Sequence, residues 1–70
     1  MQPRNILKVK NKPEYSIRAD GLEVGHIRKT VDATGHPCYG VFFQFKKGPM
    51  FFGSLATARA VAENYREGDF

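Results

Sequence analysis

The chain has little cysteine and no long apolar run, and each shortage excludes a class of protein. A single cysteine, Cys38, cannot build an internal disulfide framework, which is typical of a reducing compartment. No apolar stretch approaches the roughly 20 residues of a membrane-spanning helix, and residues 1–13 hold no apolar run of signal-peptide length. We therefore expect one domain of 70 residues in the cytoplasm, with no membrane as a partner.

The residues that usually carry catalysis or bind metals are scarce and scattered. His26 falls in a predicted strand and His36 in a predicted loop, and neither has a partner at a recognisable spacing. A structural zinc site takes four ligands, whereas the two histidines and Cys38 make three candidates. Cys38 as a nucleophile would need a base and an orienting group. The glycines fall at turns or bulges, so the sequence contains no phosphate loop. The sequence therefore predicts a protein that is not an enzyme and has no cofactor or metal.

Positive charge is concentrated near the N-terminus. Residues 1–12 contain four bases and no acid, which accounts for the whole net charge of +4, because residues 13–70 contain seven bases and seven acids. A basic segment on a neutral body is typical of proteins that bind a polyanion, although a solubilising or disordered tail has the same composition. We divide the chain into a basic N-terminal arm, residues 1–12, and one sheet-plus-helix domain, residues 13–70. Ile6, Leu7 and Val9 fit either an edge strand or an arm that orders on binding.

Residues 14–21 are typical of a strand that enters a tight hairpin turn. Tyr15 and Ile17 alternate with polar residues, as in a strand with one buried face. Asp20 and Gly21 then supply two residues that accept a positive φ, which the tightest hairpin turns require. The sequence therefore predicts a hairpin whose second strand begins directly after Gly21.

The second strand of this hairpin, residues 22–31, changes its apolar parity at Gly25. The apolar residues before the glycine are at even positions, and those after it are at odd positions. A β-bulge at Gly25 would turn all of them toward the same face. We therefore expect four core side chains from this strand: Leu22, Val24, Ile27 and Val31.

Two further strands are predicted in the aromatic part of the chain. A third strand over residues 38–46 has four odd-numbered apolar side chains on one face: Tyr39, Val41, Phe43 and Phe45. Residues 47–49, Lys-Gly-Pro, are typical of a turn, and residues 50–52 return as a short fourth strand. With the odd-numbered side chains in the core, Phe42, Gln44 and Lys46 would point away from it.

The residues after Gly53 follow a helical period. Apolar residues recur at the spacing of one helix face, and alanine is the best helix former and a poor strand former. Ser54 or Thr57 can cap the start of this helix, and Gly68 can end it. The predicted fold is α+β, with a three- or four-stranded antiparallel sheet packed against one C-terminal helix.

A nucleic acid, with DNA favoured, is the first predicted partner. The arm would follow phosphates, and the sheet face away from the helix would offer a polar, basic surface that reaches phosphates and base edges. One of Arg28 and Lys29 must face outward on that surface, and the sequence leaves open which one. The predicted nucleic-acid-binding residues are Arg4, Lys8, Lys10, Lys12, Arg18, Arg28, Lys29, Gln44, Lys46 and Lys47.

A protein is the alternative partner. More phenylalanines are present than one alanine-rich helix can cover, and surplus aromatic surface is typical of an interaction site. The chain would then be a small inhibitor, adaptor or regulatory protein of the phage or mobile-element type. It would act through exposed aromatic residues and a sheet edge. The surplus aromatic surface is also compatible with a homodimer, which the sequence does not require. The predicted protein-interaction residues are Phe42, Phe51 and Phe52.

Residues 53–65, GSLATARAVAENY, resemble a known strand-to-helix join. The join is similar to that of AP2-type DNA-binding domains and of the arm-binding N-terminal domains of phage-type integrases, which read roughly G-T-F-x-T-x-E-x-A-A-x-A-Y after a basic, aromatic hairpin. The matching positions are Gly53, Ser54, Leu55, Thr57, Ala62 and Tyr65. The resemblance implies a three-stranded sheet with a C-terminal helix and DNA contact through the sheet. That contact would fall to Arg18, Arg28, Lys29, Gln44, Lys46 and Lys47.

Overall fold

The structure, a computed structural model, describes residues 4–66 as one sheet and one helix. The elements are β1 (Arg4–Lys8), β2 (Glu14–Ala19), β3 (Leu22–Val31), β4 (Pro37–Phe43), β5 (Met50–Phe52) and α1 (Leu55–Asn64). The sheet is antiparallel, and its strands lie in chain order, β1-β2-β3-β4-β5. The predicted α+β class is confirmed. The predicted count of three or four strands is wrong, because β1 pairs with β2 and adds a fifth strand.

The basic N-terminal segment contributes an edge strand. Ile6 in β1 lies opposite Ile17 in β2 and packs against the core beneath the sheet. Of the two alternatives for this segment, residues 4–8 therefore adopt the edge strand. Residues 1–3 lie outside the described part of the chain.

The hairpin between β2 and β3 is confirmed, and its irregularity lies one residue from the predicted position. Asp20 and Gly21 have φ values of 55° and 78°, as the tight turn requires. The β2–β3 register shifts beyond Ile17, which faces Gly25, so that Val24 is the extra residue on β3.

Two of the four expected core side chains of β3 are exposed, which corrects the prediction. Ile27 is buried and Val24 is partly buried, but Leu22 is 71% exposed and Val31 is 63% exposed. Leu22 and Val31 are the ends of a strand of ten residues, about 33 Å long. The ten residues of α1 extend only about 15 Å, so the helix cannot cover both ends.

The core lies between α1 and one face of the sheet. The small side chains of Ala58 and Ala62 let the helix lie close to the strands, and the aromatic rings fill the remaining volume. Phe43 stacks on Phe45 and on Tyr65 at centroid distances of 4.7 and 5.3 Å. The expected core face of β4 is confirmed, although the strand ends at Phe43 rather than at residue 46. The fully packed side chains are Ile17, Ile27, Val41, Phe43, Ala58, Ala62 and Tyr65.

The helix begins at the predicted cap and ends before the predicted stop. Ser54 Oγ accepts a hydrogen bond of 3.2 Å from the backbone N–H of Thr57, which satisfies one free donor of the first turn. α1 ends at Asn64, and Gly68, the predicted stop, lies outside the described residues. α1, the one helix within residues 4–66, is too short and too polar to cross a membrane.

Candidate functional site

The sheet face opposite α1 is here called the open face. The side chains of Ile17, Ile27 and Val41 are buried beneath the helix, and successive side chains of a strand point to opposite faces. Their sequence neighbours therefore point away from the helix. Within residues 4–66, no second helix packs on this side. In β2, β3 and β4 the open face carries Glu14, Ser16, Arg18, His26, Arg28, Thr30, Cys38, Gly40 and Phe42.

Three aromatic side chains, here called the aromatic platform, lie together on the open face: His26, Phe42 and Phe51. His26 is directly opposite Phe42, and their rings stack with centroids 4.6 Å apart and planes 17° apart. Gly40 provides the space for the two phenylalanines, since a Cβ there would lie 3.0 Å from the Phe42 ring and 3.1 Å from the Phe51 ring. Phe51 is 57% exposed. The platform therefore presents aromatic surface to solvent at the middle and β5 side of the sheet.

A hollow of about 300 Å³ lies beside the platform, and we call it the Glu23–Gln44 hollow. It is lined by His26 and Phe42 together with the two polar residues that name it. The hydroxyl of Ser16, a residue only 7% exposed, donates a 2.8 Å hydrogen bond to Glu23 Oε1. The backbone N–H of Gln44 donates to the carbonyl of Val24 at 2.9 Å. The Glu23 carboxylate is thus held next to a stacked aromatic pair, and the backbone of Gln44 is fixed beside it.

The centre of the open face carries balanced charge, where the sequence predicts a basic surface. Arg28 Nε donates a 3.0 Å hydrogen bond to Glu14 Oε1 and forms an ion pair with it. Arg18 donates to the carbonyl of Gly21 at 3.1 Å. Two arginines therefore share the face with two glutamates, Glu14 and Glu23. Direct electrostatic attraction of phosphates to this centre is weak.

Four of the predicted lysines lie at two distant corners of the sheet. Lys10 and Lys12 are exposed in the connection from β1 to β2, and Lys46 and Lys47 lie in the connection from β4 to β5. Because adjacent strands run in opposite directions, these two connections are at opposite ends of the sheet and near opposite edges. We call these pairs the lysine corners. A line between them crosses the sheet diagonally.

Three other predicted nucleic-acid-binding residues lie on the helix side. Arg4 donates hydrogen bonds to the carbonyls of Ala62 and Tyr65 at the C-terminal end of α1. Burial, and secondarily the nearby Arg66 charge, lower the pKa of Arg4. Strand alternation places Lys8 and Lys29 on the same side. Arg28 is therefore the member of the Arg28–Lys29 pair that faces outward.

The predicted protein-interaction residues are also divided between the two faces. Phe42 and Phe51 belong to the aromatic platform. Phe52 faces Tyr39 across the β4–β5 pair and packs partly buried against the core. Only two of the three phenylalanines therefore lie on the open face.

A larger groove of about 590 Å³ lies between the β3–β4 loop and β5, next to Phe51. Asp32 in its wall accepts hydrogen bonds from the hydroxyl of Thr34 at 2.6 Å and from the backbone N–H groups of Thr34 and His36. The Thr34 hydroxyl is the main reason that the pKa of Asp32 is lowered. The carboxylate thus organises its own loop. Within residues 4–66, no three His, Cys, Asp or Glu side chains are grouped so that they could hold a metal ion.

Ser16, Glu23 and His26 are site residues that the sequence did not assign. Ser16 and His26 have even residue numbers, as Phe42 does, and strand alternation therefore places all three on one face. The sequence contained this signal. The meeting of His26 with Phe42 depends on the β3–β4 register, and the bond from Ser16 to Glu23 depends on the bulge at Val24. Neither is visible in residue spacing alone.

The open face can therefore supply planar apolar surface, a carboxylate with a neighbouring amide, and lysines at two corners. These groups suit a ligand that has flat rings, hydrogen-bonding edges and distributed negative charge. No protein-family model matches this chain, and no curated protein and no solved structure matches it significantly.

Proposed function

We propose that the protein is a non-enzymatic module that binds single-stranded nucleic acid on its open face. The observation that carries the proposal is the aromatic platform, in which His26 and Phe42 are stacked and Phe51 is exposed beside them. Stacking of a base on an aromatic side chain contributes about 1–3 kcal/mol and tolerates any base, since every base has a π-face. Unpaired bases are the targets that protein sheets recognise in this way. DNA is favoured over RNA by the resemblance of residues 53–65 alone.

The charge distribution favours an unpaired strand over a duplex. Duplex binding depends strongly on neutralised phosphates, and the central Arg28 is already paired with Glu14. Under the AP2-type resemblance, duplex DNA contact would fall to Arg18, Arg28, Lys29, Gln44, Lys46 and Lys47 instead. An unpaired strand that ran from one lysine corner to the other would place its bases over the platform and its phosphates near lysines at both ends. This arrangement uses the aromatic and the basic groups together.

Fluorescence anisotropy tests the proposal with labelled single-stranded DNA, single-stranded RNA and duplex DNA of one mixed sequence. We expect single strands to bind more tightly than the duplex, and Phe42→Ala and Phe51→Ala each to weaken binding about tenfold, as the loss of one stacked base predicts. Leu22→Ala is the matched control, because it removes an exposed apolar side chain away from the platform. Absence of single-strand binding at low salt, or equal losses in the control, would refute the proposal.

A protein-interaction module is the second candidate. The observation in its favour is the apolar part of the surface, since Leu7, Leu22, Val31 and Phe51 are large and exposed while the central charges cancel. The β5 edge strand also carries no charge, so that it can accept a partner strand or a second copy. Sedimentation velocity over a range of protein concentrations distinguishes this case. A dimer that is lost in Phe51→Ala, together with no nucleic-acid binding, would favour it.

A further inference from the structure

We infer that the Glu23–Gln44 hollow selects guanine from among the bases of a bound strand, an inference that rests on the proposed function. The hollow shares His26 and Phe42 with the aromatic platform. A base that stacks on the side of the His26–Phe42 pair that borders the hollow can direct one edge over Glu23 and Gln44. The platform accepts any base, so that discrimination must come from the groups at that edge.

The Glu23 carboxylate is placed to accept two neighbouring N–H donors. The hydroxyl of Ser16 occupies one acceptor position of Oε1 and holds the carboxylate beside the platform. An ionised carboxylate has about four such positions on its two oxygens, so that most remain available. Guanine presents N1–H and N2–H side by side, which matches the two carboxylate oxygens and gives a charge-assisted pair of hydrogen bonds.

The other bases match this carboxylate less well. Adenine and cytosine have a single donor group next to a ring-nitrogen acceptor, and that acceptor would face a carboxylate oxygen. Thymine and uracil have one N–H between two carbonyl groups, which the carboxylate would repel. Gln44 adds to the preference, because it also lines the hollow and its side-chain amide can donate to guanine O6.

The test measures the affinity of the full chain for a short oligothymidine in which one central position is thymine, guanine, adenine, cytosine or hypoxanthine. We expect guanine to bind about tenfold more tightly than the other natural bases, the lower range for a bidentate contact. Hypoxanthine keeps N1–H and O6 but lacks the 2-amino group, and it should fall between guanine and adenine.

Glu23→Gln should remove the preference for guanine, so that guanine-containing and plain oligothymidine bind this variant with affinities within about twofold of each other, since stacking and phosphate contacts do not distinguish the bases. Glu14→Gln is the matched control, because Glu14 is also an open-face carboxylate but is bonded to Arg28 outside the hollow. It should keep the guanine preference. The hypoxanthine comparison uses the unaltered protein, so the inference can be contradicted even if Glu23→Gln does not fold.

Three results would overturn the inference. They are tight binding with equal affinity for all bases, a hypoxanthine affinity equal to that of guanine, and a guanine preference that persists in Glu23→Gln. In each case the oligothymidine still binds, so the proposed function stands. If none of the oligonucleotides binds, the proposed function fails and the base preference fails with it.

Discussion

Gly25 lies in β3 opposite Phe43, at a point where the backbone of β4 leaves no space for a side chain. A Cβ at this position would lie 2.1 Å from the carbonyl oxygen of Phe42, and a backbone atom in a strand pair cannot move aside cheaply. Gly25 therefore permits the close approach of β3 to β4 that brings His26 against Phe42. The side-chain packing of the platform therefore depends on the absence of a Cβ atom at position 25.

Gly25→Ala should lower the free energy of unfolding by about 3 kcal/mol or more, at or above the upper range for overpacking a core. Urea denaturation followed by circular dichroism measures the change. Gly53→Ala is the control, since nothing lies within 4 Å of a Cβ at Gly53, and it should change stability by less than about 0.5 kcal/mol. Equal effects of the two substitutions would show that the Phe42 carbonyl does not restrict the size of the side chain at position 25.

Asp32 gives the stability a pH dependence whose sign follows from its hydrogen bonds. The Thr34 hydroxyl and then the His36 N–H lower the pKa of Asp32 from its ordinary 3.8. The stabilisation is therefore complete above the ordinary pKa and is lost as the pH falls through the lowered pKa. Asp32→Asn should reduce the melting temperature at neutral pH, and its difference from the unaltered protein should shrink in acid. Thermal denaturation across an acid pH series measures this, and Thr34→Val should show an intermediate pH dependence. A difference that persists unchanged in acid would contradict it.

The role of a single residue was predictable where the local backbone conformation requires that residue type. It was unpredictable where the requirement comes from contact with a strand far along the chain. Asp20 and Gly21 were recognisable because the turn itself needs their positive φ values. The role of Gly25 was misassigned to the bulge, which lies at Val24. A change of apolar parity locates a bulge only to within a residue or so, and the nearby Phe42 carbonyl belongs to a strand far along the chain.

At the scale of elements, Arg4 ties β1 to α1. Its guanidinium donates to the carbonyls of Ala62 and Tyr65 at the C-terminal end of the helix, where side-chain donors commonly satisfy backbone carbonyls. The same guanidinium lies over the rings of Phe43 and Phe45, 5.0 and 5.5 Å from their centroids. β1 contributes only one apolar side chain, Ile6, to the core. The polar contacts of Arg4 at the start of β1 therefore hold this edge strand to the helix.

Arg4→Ala should destabilise the protein by about 1–2 kcal/mol, the range for hydrogen bonds with a charged donor, reduced here by partial exposure. Hydrogen exchange of the β1 amides should accelerate more than that of β3 and β4, since β1 loses its attachment to the helix. Nucleic-acid affinity should not change, because Arg4 lies on the helix side. Lys12→Ala, at an exposed turn position, is the control for stability. Exchange that accelerates equally in all strands would argue against a local tie.

The helix and four of the five strands, β2 to β5, were predictable because each carries its own signal. The alanine spacing and the Ser54 cap define α1, and apolar alternation defines most of β2 and β4. β1 was left open because only Ile6 among its five residues packs in the core. The aromatic platform was not predictable, since the β3–β4 register that pairs His26 with Phe42 emerges only when the whole sheet forms.

At the scale of the whole molecule, charge and aromatic surface occupy different places. The platform lies at the middle and β5 side of the open face, the lysine corners lie diagonally apart, and the ion pair of Arg28 with Glu14 lies between them. Under the proposed function, the affinity for a single strand should therefore divide into a stacking part that is insensitive to salt and a phosphate part that depends on salt. Variants of the platform and of the corners should change different parts of the affinity.

The salt dependence of single-strand binding separates the two parts. Each phosphate contact contributes about −0.7 to the slope of log K against log salt for a single strand. Charge reversal of one lysine corner, Lys10→Glu with Lys12→Glu or Lys46→Glu with Lys47→Glu, should therefore make the slope shallower by about 1.4. Phe42→Ala should weaken binding with the slope unchanged, because stacking releases no counterions.

The matched control for the corners is Lys29→Glu with Arg59→Glu, which reverses two exposed charges of the helix side and of α1 itself. It alters the net charge as much as either corner does but removes no proposed phosphate contact, so that its slope should stay close to that of the unaltered protein. Anisotropy titrations over a salt series measure all four variants. If this control flattens the slope as much as the corners do, the lysines act only through net charge, and a strand does not cross the open face from corner to corner.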